Sequence, residues 1–272
     1  MKHNFILQAI ILTVVAILVT SCGSSNITQN LSAEERFDAG KKKFDEGDYL
    51  DAINEFEIVK LQFPGSAVAD DAQYYLAESH FKREEFLLAA EEYQALKRNM
   101  PASPFVPLVQ YKTAMCYYSL SPRSALDQRY TARAIDEFQT FIEYNPTHEL
   151  VPDAEAKIKE LNMRLSQKLY ETALLYMKME YYKAAVVYFN DVVEKYHDTP
   201  YAEPAQLGKA RALAARKKYD EAKQEVEKFL DKYPNSTMKQ EGESLRQEIE
   251  EHLKSKSATG TPATENKITS PE

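Results

Sequence analysis

The stretch Lys41–Pro64, KKKFDEGDYLDAINEFEIVKLQFP, predicts two helices joined by a tight turn. Gly47 and Asp48 interrupt the helical pattern in its middle, and Asp48 is placed to cap the second helix. Pro64 ends that helix. The small and aromatic residues of this stretch return four more times along the chain. A two-helix unit with a period of roughly 34 to 50 residues is typical of a solenoid.

The second helix of each unit carries the clearest repeated pattern. A small residue stands where the two helices would cross, and larger apolar residues follow four and seven positions later. This spacing predicts one buried stripe on each second helix. In chain order the stripes are Ala52, Phe56 and Val59; Ala89, Tyr93 and Leu96; Ala134, Phe138 and Phe141; Ala185, Phe189 and Val192; and Ala222, Val226 and Phe229.

The first helix of the first unit has its own signals. Ser32 and Glu35 form a capping box at its start. Phe37, Gly40 and Phe44 lie on one face, and Gly40 allows the second helix to approach closely.

Most units end at a proline, although His197 takes that place in the fourth. With the prolines, the order of small and aromatic residues resembles the tetratricopeptide repeat. The resemblance implies an all-α fold, a right-handed superhelix of about ten helices in five hairpins. The repeats would span about 32–64, 69–101, 106–146, 166–197 and 202–234, within a domain at 32–253. Only seven glycines and 28% charged residues favour helix over a sandwich or barrel.

The N-terminus has the features of an export signal. Lys2 precedes an apolar run, Phe5–Val19, that is shorter than the about 20 residues of a membrane span. The run ends in Val19-Thr20-Ser21-Cys22, which resembles the lipobox of bacterial lipoproteins. An ordinary signal peptide or an uncleaved N-terminal helix would be the alternatives.

The lipobox resemblance implies cleavage between Ser21 and Cys22, which removes the signal peptide 1–21. Cys22 would then carry an S-diacylglycerol and an N-acyl chain, and several acyl chains make a durable anchor. Residues 22–31 would form the lipidated tether. Gly23 stands where an aspartate favours inner-membrane retention in enteric bacteria, so we expect the outer membrane of a Gram-negative bacterium. The repeat domain would face the periplasm.

Two irregularities interrupt the repeats. The segment Ser119–Tyr130 separates the helices of the third repeat by a longer loop than usual, and a long helix at Glu149–Leu169 links repeats three and four. These features resemble the BamD (YfiO, ComL) lipoprotein family over about residues 22–253. The resemblance also rests on Asp127, Gln128, Ala132, Ala134, Phe138, Tyr144, Pro146, Tyr182, Ala184, Ala185, Phe189, Tyr196, Asp198 and Thr199.

The family resemblance implies a periplasmic scaffold of the outer-membrane β-barrel assembly machinery. Its N-terminal repeats would receive unfolded barrel-protein segments. Its C-terminal repeats would dock the barrel-forming core subunit, beside other accessory lipoproteins. An alternative is a repeat-containing adaptor for cell-wall synthesis or constriction, as in the YbgF-like proteins, which typically carry an N-terminal coiled coil. A glycan-binding lipoprotein of the SusD kind would need exposed tryptophans, and the chain has none.

Signals for catalysis are missing. The chain has no P-loop, Gly-x-Gly-x-x-Gly, His-Glu-x-x-His or Cys-x-x-Cys motif, and its five histidines are scattered singly. We therefore expect no enzyme, no metal site and no cofactor. A net charge of −8 argues against nucleic-acid binding. Cys116, in an apolar helical run, is expected to be a buried core residue.

The first helices of the repeats would line a concave groove suited to a peptide. Lys41 and Glu78 are the stronger candidates, because a polar groove residue would have no packing task, whereas Phe44 and Phe81 equally suit the core. The polar tail 254–272 is predicted to be disordered. The candidate groove residues are Phe37, Lys41, Phe44, Tyr74, Glu78 and Phe81.

Overall fold

The computed structural model describes residues 31–259, with 256–259 as backbone only. All the regular elements in that range are α-helices, as the sequence predicts. The predicted signal peptide, its cleavage site, the lipidated Cys22 and the tail beyond Thr259 lie outside the described residues. The helices are α1 (Ala33–Glu46), α2 (Tyr49–Gln62), α3 (Ala69–Lys82), α4 (Phe86–Asn99), α5 (Val106–Leu120), α6 (Arg129–Tyr144), α7 (Val151–Lys178), α8 (Tyr182–Lys195), α9 (Ala202–Ala215), α10 (Tyr219–Lys232) and α11 (Lys239–Thr259).

The chain forms two compact units that divide between Ala72 and Gln73, within α3. In the first unit, α1 packs against α2. In the second unit each helix from α4 to α11 packs against the next one in sequence. Neighbour-to-neighbour packing of this kind is what a repeat protein uses in place of one central core.

The predicted buried stripes are confirmed in all five repeats. Each stripe residue on α2, α4, α6, α8 and α10 is 0% exposed to solvent. Gly40 is buried as well, and a Cβ atom added there would lie 2.8 Å from Cε1 of Phe56 on α2. The structure therefore confirms that α1 and α2 approach each other closely at Gly40. Cys116 is also fully buried, as expected.

Of the two capping predictions for the first repeat, one is confirmed and the other is wrong. Ser32 and Glu35 form the expected capping box, with bonds of 3.2 Å from Glu35 N to Ser32 Oγ and 2.8 Å from Ser32 N to Glu35 Oε2. Asp48 occupies the N-cap position of α2, but its side chain makes no capping hydrogen bond. The prediction for Asp48 was wrong because its carboxylate turns to Lys43, with 3.4 Å between Oδ2 and Nζ.

The turn between the paired helices has the same backbone conformation in four of the repeats. Gly47 has φ 86°, and the residues at the matching position of repeats two, four and five also have positive φ. Those residues are Glu84 at 61°, Glu180 at 61° and Lys217 at 59°. A left-handed residue ends each first helix and redirects the chain into the second. In the third repeat the segment Ser121–Gln128, here called the repeat-three loop, takes the place of this turn.

Two predicted boundaries differ from the structure. The linking helix and the first helix of repeat four are one continuous 28-residue helix, α7, because no glycine or proline separates them. The prediction of disorder from residue 254 differs from the structure over residues 254–259, which belong to α11. The polar residues after His252 extend a helix already formed, because lysine and alanine are good helix formers.

Candidate interaction surface

The first three predicted groove residues lie on one face of α1 and are all half-buried. Phe37 packs against Phe56 with ring centroids 5.9 Å apart, and Phe44 meets Tyr49 edge-on at 5.4 Å. Lys41 lies between the two rings in sequence, and its Nζ is 2.5 Å from Oδ1 of Asp45 and 5.9 Å from the Phe44 centroid. Each ring therefore packs against α2 and is partly exposed to solvent.

The other three lie on α3 in the second unit. Tyr74 stacks on Phe105 at 4.5 Å with ring planes 9° apart, and Phe81 meets Phe86 at 5.2 Å. Lys112 Nζ lies 5.4 Å from the centre of the Phe81 ring. Both aromatic rings thus pack against the helices that follow, which agrees with the core interpretation of Phe81.

Glu78 was expected to lie in the groove without a packing role, but it is buried and contacts two other helices. Its carboxylate is 6% exposed, accepts a hydrogen bond from the hydroxyl of Tyr93 on α4, and lies 2.8 Å from Nζ of Lys112 on α5. The acidic side chain therefore joins three successive helices. Lys112 was missed in the sequence, and the signal that could have found it is a cation about one repeat period after a carboxylate.

The buried Glu78 carboxylate changes the chemistry of its neighbours. Burial and the negative charge of Glu78 together raise the pKa of the hydroxyls of Tyr74 and Tyr93. Burial, with Glu78 adding to it, raises the pKa of the Cys116 thiol to about 12. A thiol with that pKa stays protonated at neutral pH and is a poor nucleophile.

A polar bridge joins the paired helices at one recurring position. Gln73 on α3 donates to Glu92 on α4 at 2.6 Å, and Gln206 on α9 donates to Glu225 on α10 at 2.6 Å. In the first repeat, Arg36 Nη1 lies 2.9 Å from Glu55 Oε2 at the same position. The fourth repeat has Leu169 and Tyr188 at these positions, so its paired helices meet there without the bridge.

The repeat-three loop is held in place by many hydrogen bonds. Gln128 Nε2 donates to the backbone oxygens of Arg123 at 2.9 Å and Leu126 at 3.0 Å. Arg164 on α7 donates to the Ser121 carbonyl at 2.9 Å and to its hydroxyl at 2.7 Å. Satisfied backbone groups of this kind give a loop one defined shape.

A group of exposed apolar side chains occupies the end of α7 and the turn into α8. Leu174, Leu175, Met179 and Tyr181 are each between 45% and 59% exposed. We call these four residues the α7–α8 apolar patch. Neighbouring exposed apolar residues on a protein surface commonly mark a contact with another macromolecule.

Residues 31–259 contain neither a metal-ligand cluster nor a membrane-spanning helix. No three His, Cys, Asp or Glu side chains in that range come together in a group that could hold a metal ion. None of the helices described combines the length and apolar character needed to cross a membrane.

Comparison with known proteins matches residues 29–209 to the YfiO family, described as an outer membrane lipoprotein. The match covers most of the chain, including α1 to α8, the repeat-three loop and the long α7. The chain belongs to the YfiO family. Residues 204–236 separately match the tetratricopeptide repeat, in agreement with the fifth predicted repeat.

Curated relatives of this YfiO-family chain are about a quarter identical to it over the residues that align. The protein named "Outer membrane protein assembly factor BamD" from Rickettsia prowazekii (strain Madrid E) is 25% identical over 87% of this chain and 94% of its own. The protein of the same name from Pasteurella multocida (strain Pm70) is 22% identical over 68% of this chain and 75% of its own.

Among solved structures, the TPR2AB-domain:pHSP90-complex of yeast Sti1 is similar over 83% of this chain and 86% of that one. The sequence identity is 15% and the TM-score is 0.41. Because this TM-score is low, the fold assignment rests on the helix pattern and on the family matches.

Proposed function

We propose that this YfiO-family protein is a non-enzymatic scaffold lipoprotein of the outer-membrane β-barrel assembly machinery. It helps barrel proteins to assemble and insert by binding the barrel-forming core subunit, other accessory lipoproteins and unfolded substrate segments. The observation that carries this proposal is the family match over residues 29–209, together with relatives named as BamD along most of the chain. Family membership supports location at the outer membrane.

A lipid anchor at Cys22 would hold the repeats beside the membrane on its periplasmic side. The Val19–Cys22 lipobox and the family description both support it. Replacing Cys22 with Ala would block lipidation. We expect this variant to keep residues 1–21 and to lack the mass of the acyl chains in intact-protein mass spectrometry. A Ser24→Ala variant, two residues further on, is the control and should be processed normally. Cleavage and acylation of the Cys22→Ala chain would contradict the anchor.

The N-terminal repeats would receive unfolded barrel segments along their first helices. The partial exposure of Phe37 and Phe44 on α1, and of Tyr74 and Phe81 on α3, supports this assignment. Lys41 would offer a charge at the surface, whereas buried Glu78 would act by positioning Lys112. Peptides that add an extended or helical segment to such a face use apolar anchors with a few polar contacts.

The C-terminal repeats would dock the core subunit through the α7–α8 apolar patch. The four patch residues are each about half exposed, and at the bridge position their repeat has the apolar Leu169 and the aromatic Tyr188. Removing these side chains from water on docking would favour association.

Depletion of the protein in its native host tests the proposal. We expect the amounts of folded barrel proteins in the outer membrane to fall, and the wild-type gene to restore them. Unchanged barrel proteins together with a defect in septation or cell-wall synthesis would contradict the proposal and favour the adaptor alternative.

A further inference from the structure

A cavity of about 650 Å³ opens between the repeat-three loop and α7. The loop forms one wall and α7 forms the other, and Tyr201 borders it from the turn before α9. A cavity of this size accommodates one or two amino-acid side chains. Its lining residues are Ser121, Arg123, Ser124, Glu160, Met163, Arg164, Gln167 and Tyr201.

The walls of this cavity are already in place before any ligand binds. Besides the bonds from Gln128 and Arg164, Lys168 Nζ donates to the backbone oxygen of Leu126 at 2.5 Å. Thr131 is fully buried and donates to Gln128 Oε1 at 2.7 Å, which fixes the amide that holds the loop. Preorganised walls reduce the entropy lost on binding, so a loop this well held suits recognition.

Most of the charged groups around the cavity are satisfied by one another. Arg164 Nη2 lies 3.0 Å from Glu160 Oε1, and the other carboxylate oxygen of Glu160 accepts a bond of 2.6 Å from Tyr118. Gln167 donates to Glu171 at 2.8 Å. Arg123 differs, because its exposed guanidinium makes no hydrogen bond or ion pair with any side chain in the part of the chain that the structure describes. One positive charge at the cavity is therefore available to a ligand.

Met163 and Tyr201 supply apolar surface to the lining. The Met163 side chain is 43% exposed, and the Tyr201 ring packs on Tyr170 at 5.6 Å and is half-buried. A free phosphate would gain nothing from these surfaces and would meet only one available cation. An acidic side chain next to an apolar one matches both parts of the cavity.

We propose that this cavity binds an aspartate or glutamate side chain, with an adjacent apolar residue, in an extended segment of a partner polypeptide. The Arg123 guanidinium would hold the carboxylate through paired N–H donors, a geometry that arginine forms well. The apolar neighbour would lie on Met163 and Tyr201. This ligand chemistry does not depend on the barrel-assembly role, and it assigns a binding task to the loop that distinguishes the third repeat.

Binding of short fluorescent peptides to the purified full chain in detergent micelles tests this assignment. The peptides share a glycine- and serine-rich frame whose centre pairs Leu, Phe or Val with Glu or Asp, or with the uncharged isosteres Gln or Asn. Fluorescence polarisation is measured for wild type, Arg123→Ala and Arg129→Ala. Arg129 is the matched control, because it is an exposed arginine close by that does not line the cavity.

We expect wild type and Arg129→Ala to bind the acidic peptides about tenfold more tightly than the amide peptides, as a charge-assisted pair provides. Arg123→Ala should lose that preference while unfolding at the wild-type temperature, since its side chain has no partner to lose. Added salt should weaken the preference. The assignment is overturned if wild type binds no acidic peptide at millimolar concentration, if acid and amide bind equally, or if Arg123→Ala keeps the preference. Displacement of the peptide by equimolar inorganic phosphate would also overturn it, in favour of a simple anion site.

Discussion

Gln206 Nε2 lies 2.6 Å from a carboxylate oxygen of Glu225 and donates a hydrogen bond to it across α9 and α10. Both residues are less than a tenth exposed. Lys209 and Lys228 complete the cluster, with their Nζ atoms 3.1 Å and 2.9 Å from the same carboxylate. A buried carboxylate with this set of donors is fully satisfied, and it ties the two helices of the fifth repeat together.

Replacing Glu225 with Ala should destabilise the second unit by about 3 kcal/mol, because the Gln206 amide loses its acceptor and Lys209 loses its counter-ion. The midpoint of urea unfolding, followed by circular dichroism, measures the change. Glu227→Ala is the control on the same helix. Glu227 pairs with Lys223 only at 3.8 Å and near the surface, so its loss should cost at most about 0.5 kcal/mol. An equal loss of stability in the two variants would contradict a stabilising role for the Gln206–Glu225 bridge.

The same cluster predicts a pH dependence. Burial raises the pKa of Glu225, but Lys228, Lys209 and Gln206 outweigh it and hold the pKa below its ordinary value of 4.5. Between the lowered pKa and 4.5 the unfolded chain binds more protons than the folded one, so stability rises with pH there. The contribution is complete above that window and is lost as the pH falls through the folded pKa. In urea midpoints measured from neutral to acidic pH, Glu225→Gln should lose less stability than wild type. Parallel curves would show that Glu225 has no linked proton.

The close contact between Gly208 on α9 and Phe189 on α8 predicts a steric cost. A Cβ atom at Gly208 would lie 2.6 Å from Cζ of the fully buried Phe189 ring. Gly208→Ala should therefore lower stability by about 1–3 kcal/mol through overpacking. At Gly65 an added Cβ meets no atom within 4 Å, so Gly65→Ala should change stability by no more than about 0.5 kcal/mol. Thermal unfolding compares the two variants, and a harmless Gly208→Ala would show that the helices can separate at no cost.

The left-handed turns predict substitutions of opposite sign at matching repeat positions. Glu180 has φ 61°, a conformation that costs a non-glycine residue about 1 kcal/mol, so Glu180→Gly should stabilise by roughly that amount. Gly47 has φ 86° with open space around it, so Gly47→Ala should destabilise by about 1 kcal/mol through backbone strain alone. Thermal unfolding measures both. Changes of the same sign would contradict the shared turn conformation.

The α7–α8 apolar patch predicts an effect on partner binding without one on folding. Replacing Leu175 and Met179 together with Glu should reduce co-purification of the core subunit, because charged side chains cannot be buried unpaired at an interface. The unfolding temperature should stay near the wild-type value, since both side chains are about half exposed. Leu61→Glu provides the control at an exposed leucine on α2 that is not part of the patch. Undiminished co-purification of the double variant would place the docking surface elsewhere.

Sequence periodicity predicted the interior far better than the polar contacts. Ala89, Tyr93 and Leu96 could be assigned to the core because burial on a helix depends on spacing within the helix itself. The partners of Glu78 could not be assigned in this way, since Tyr93 and Lys112 come from two later helices and meet it only after the repeats stack. Asp48 was mispredicted for a related reason, as the turn brings Lys43 within reach of its carboxylate.

In the candidate sites, too, features within one repeat could be predicted and contacts between repeats could not. The repeat-three loop could be located from its length, but the cavity beside it depends on Arg164 and Lys168, which come from α7. The α7–α8 apolar patch has no spacing signal, because spacing along one helix does not show whether an apolar residue is covered by another helix. The cavity and the exposure of the patch therefore depend on contacts between repeats, which the pattern within one repeat does not specify.

Mass spectrometry of the proteins that co-purify with the chain in a mild-detergent extract of its native membranes tests the central claim most directly. The account predicts that the barrel-forming core subunit of the assembly machinery is enriched, along with other accessory lipoproteins, relative to an untagged strain. Recovery of cell-wall synthesis or constriction proteins in place of that core subunit would contradict it.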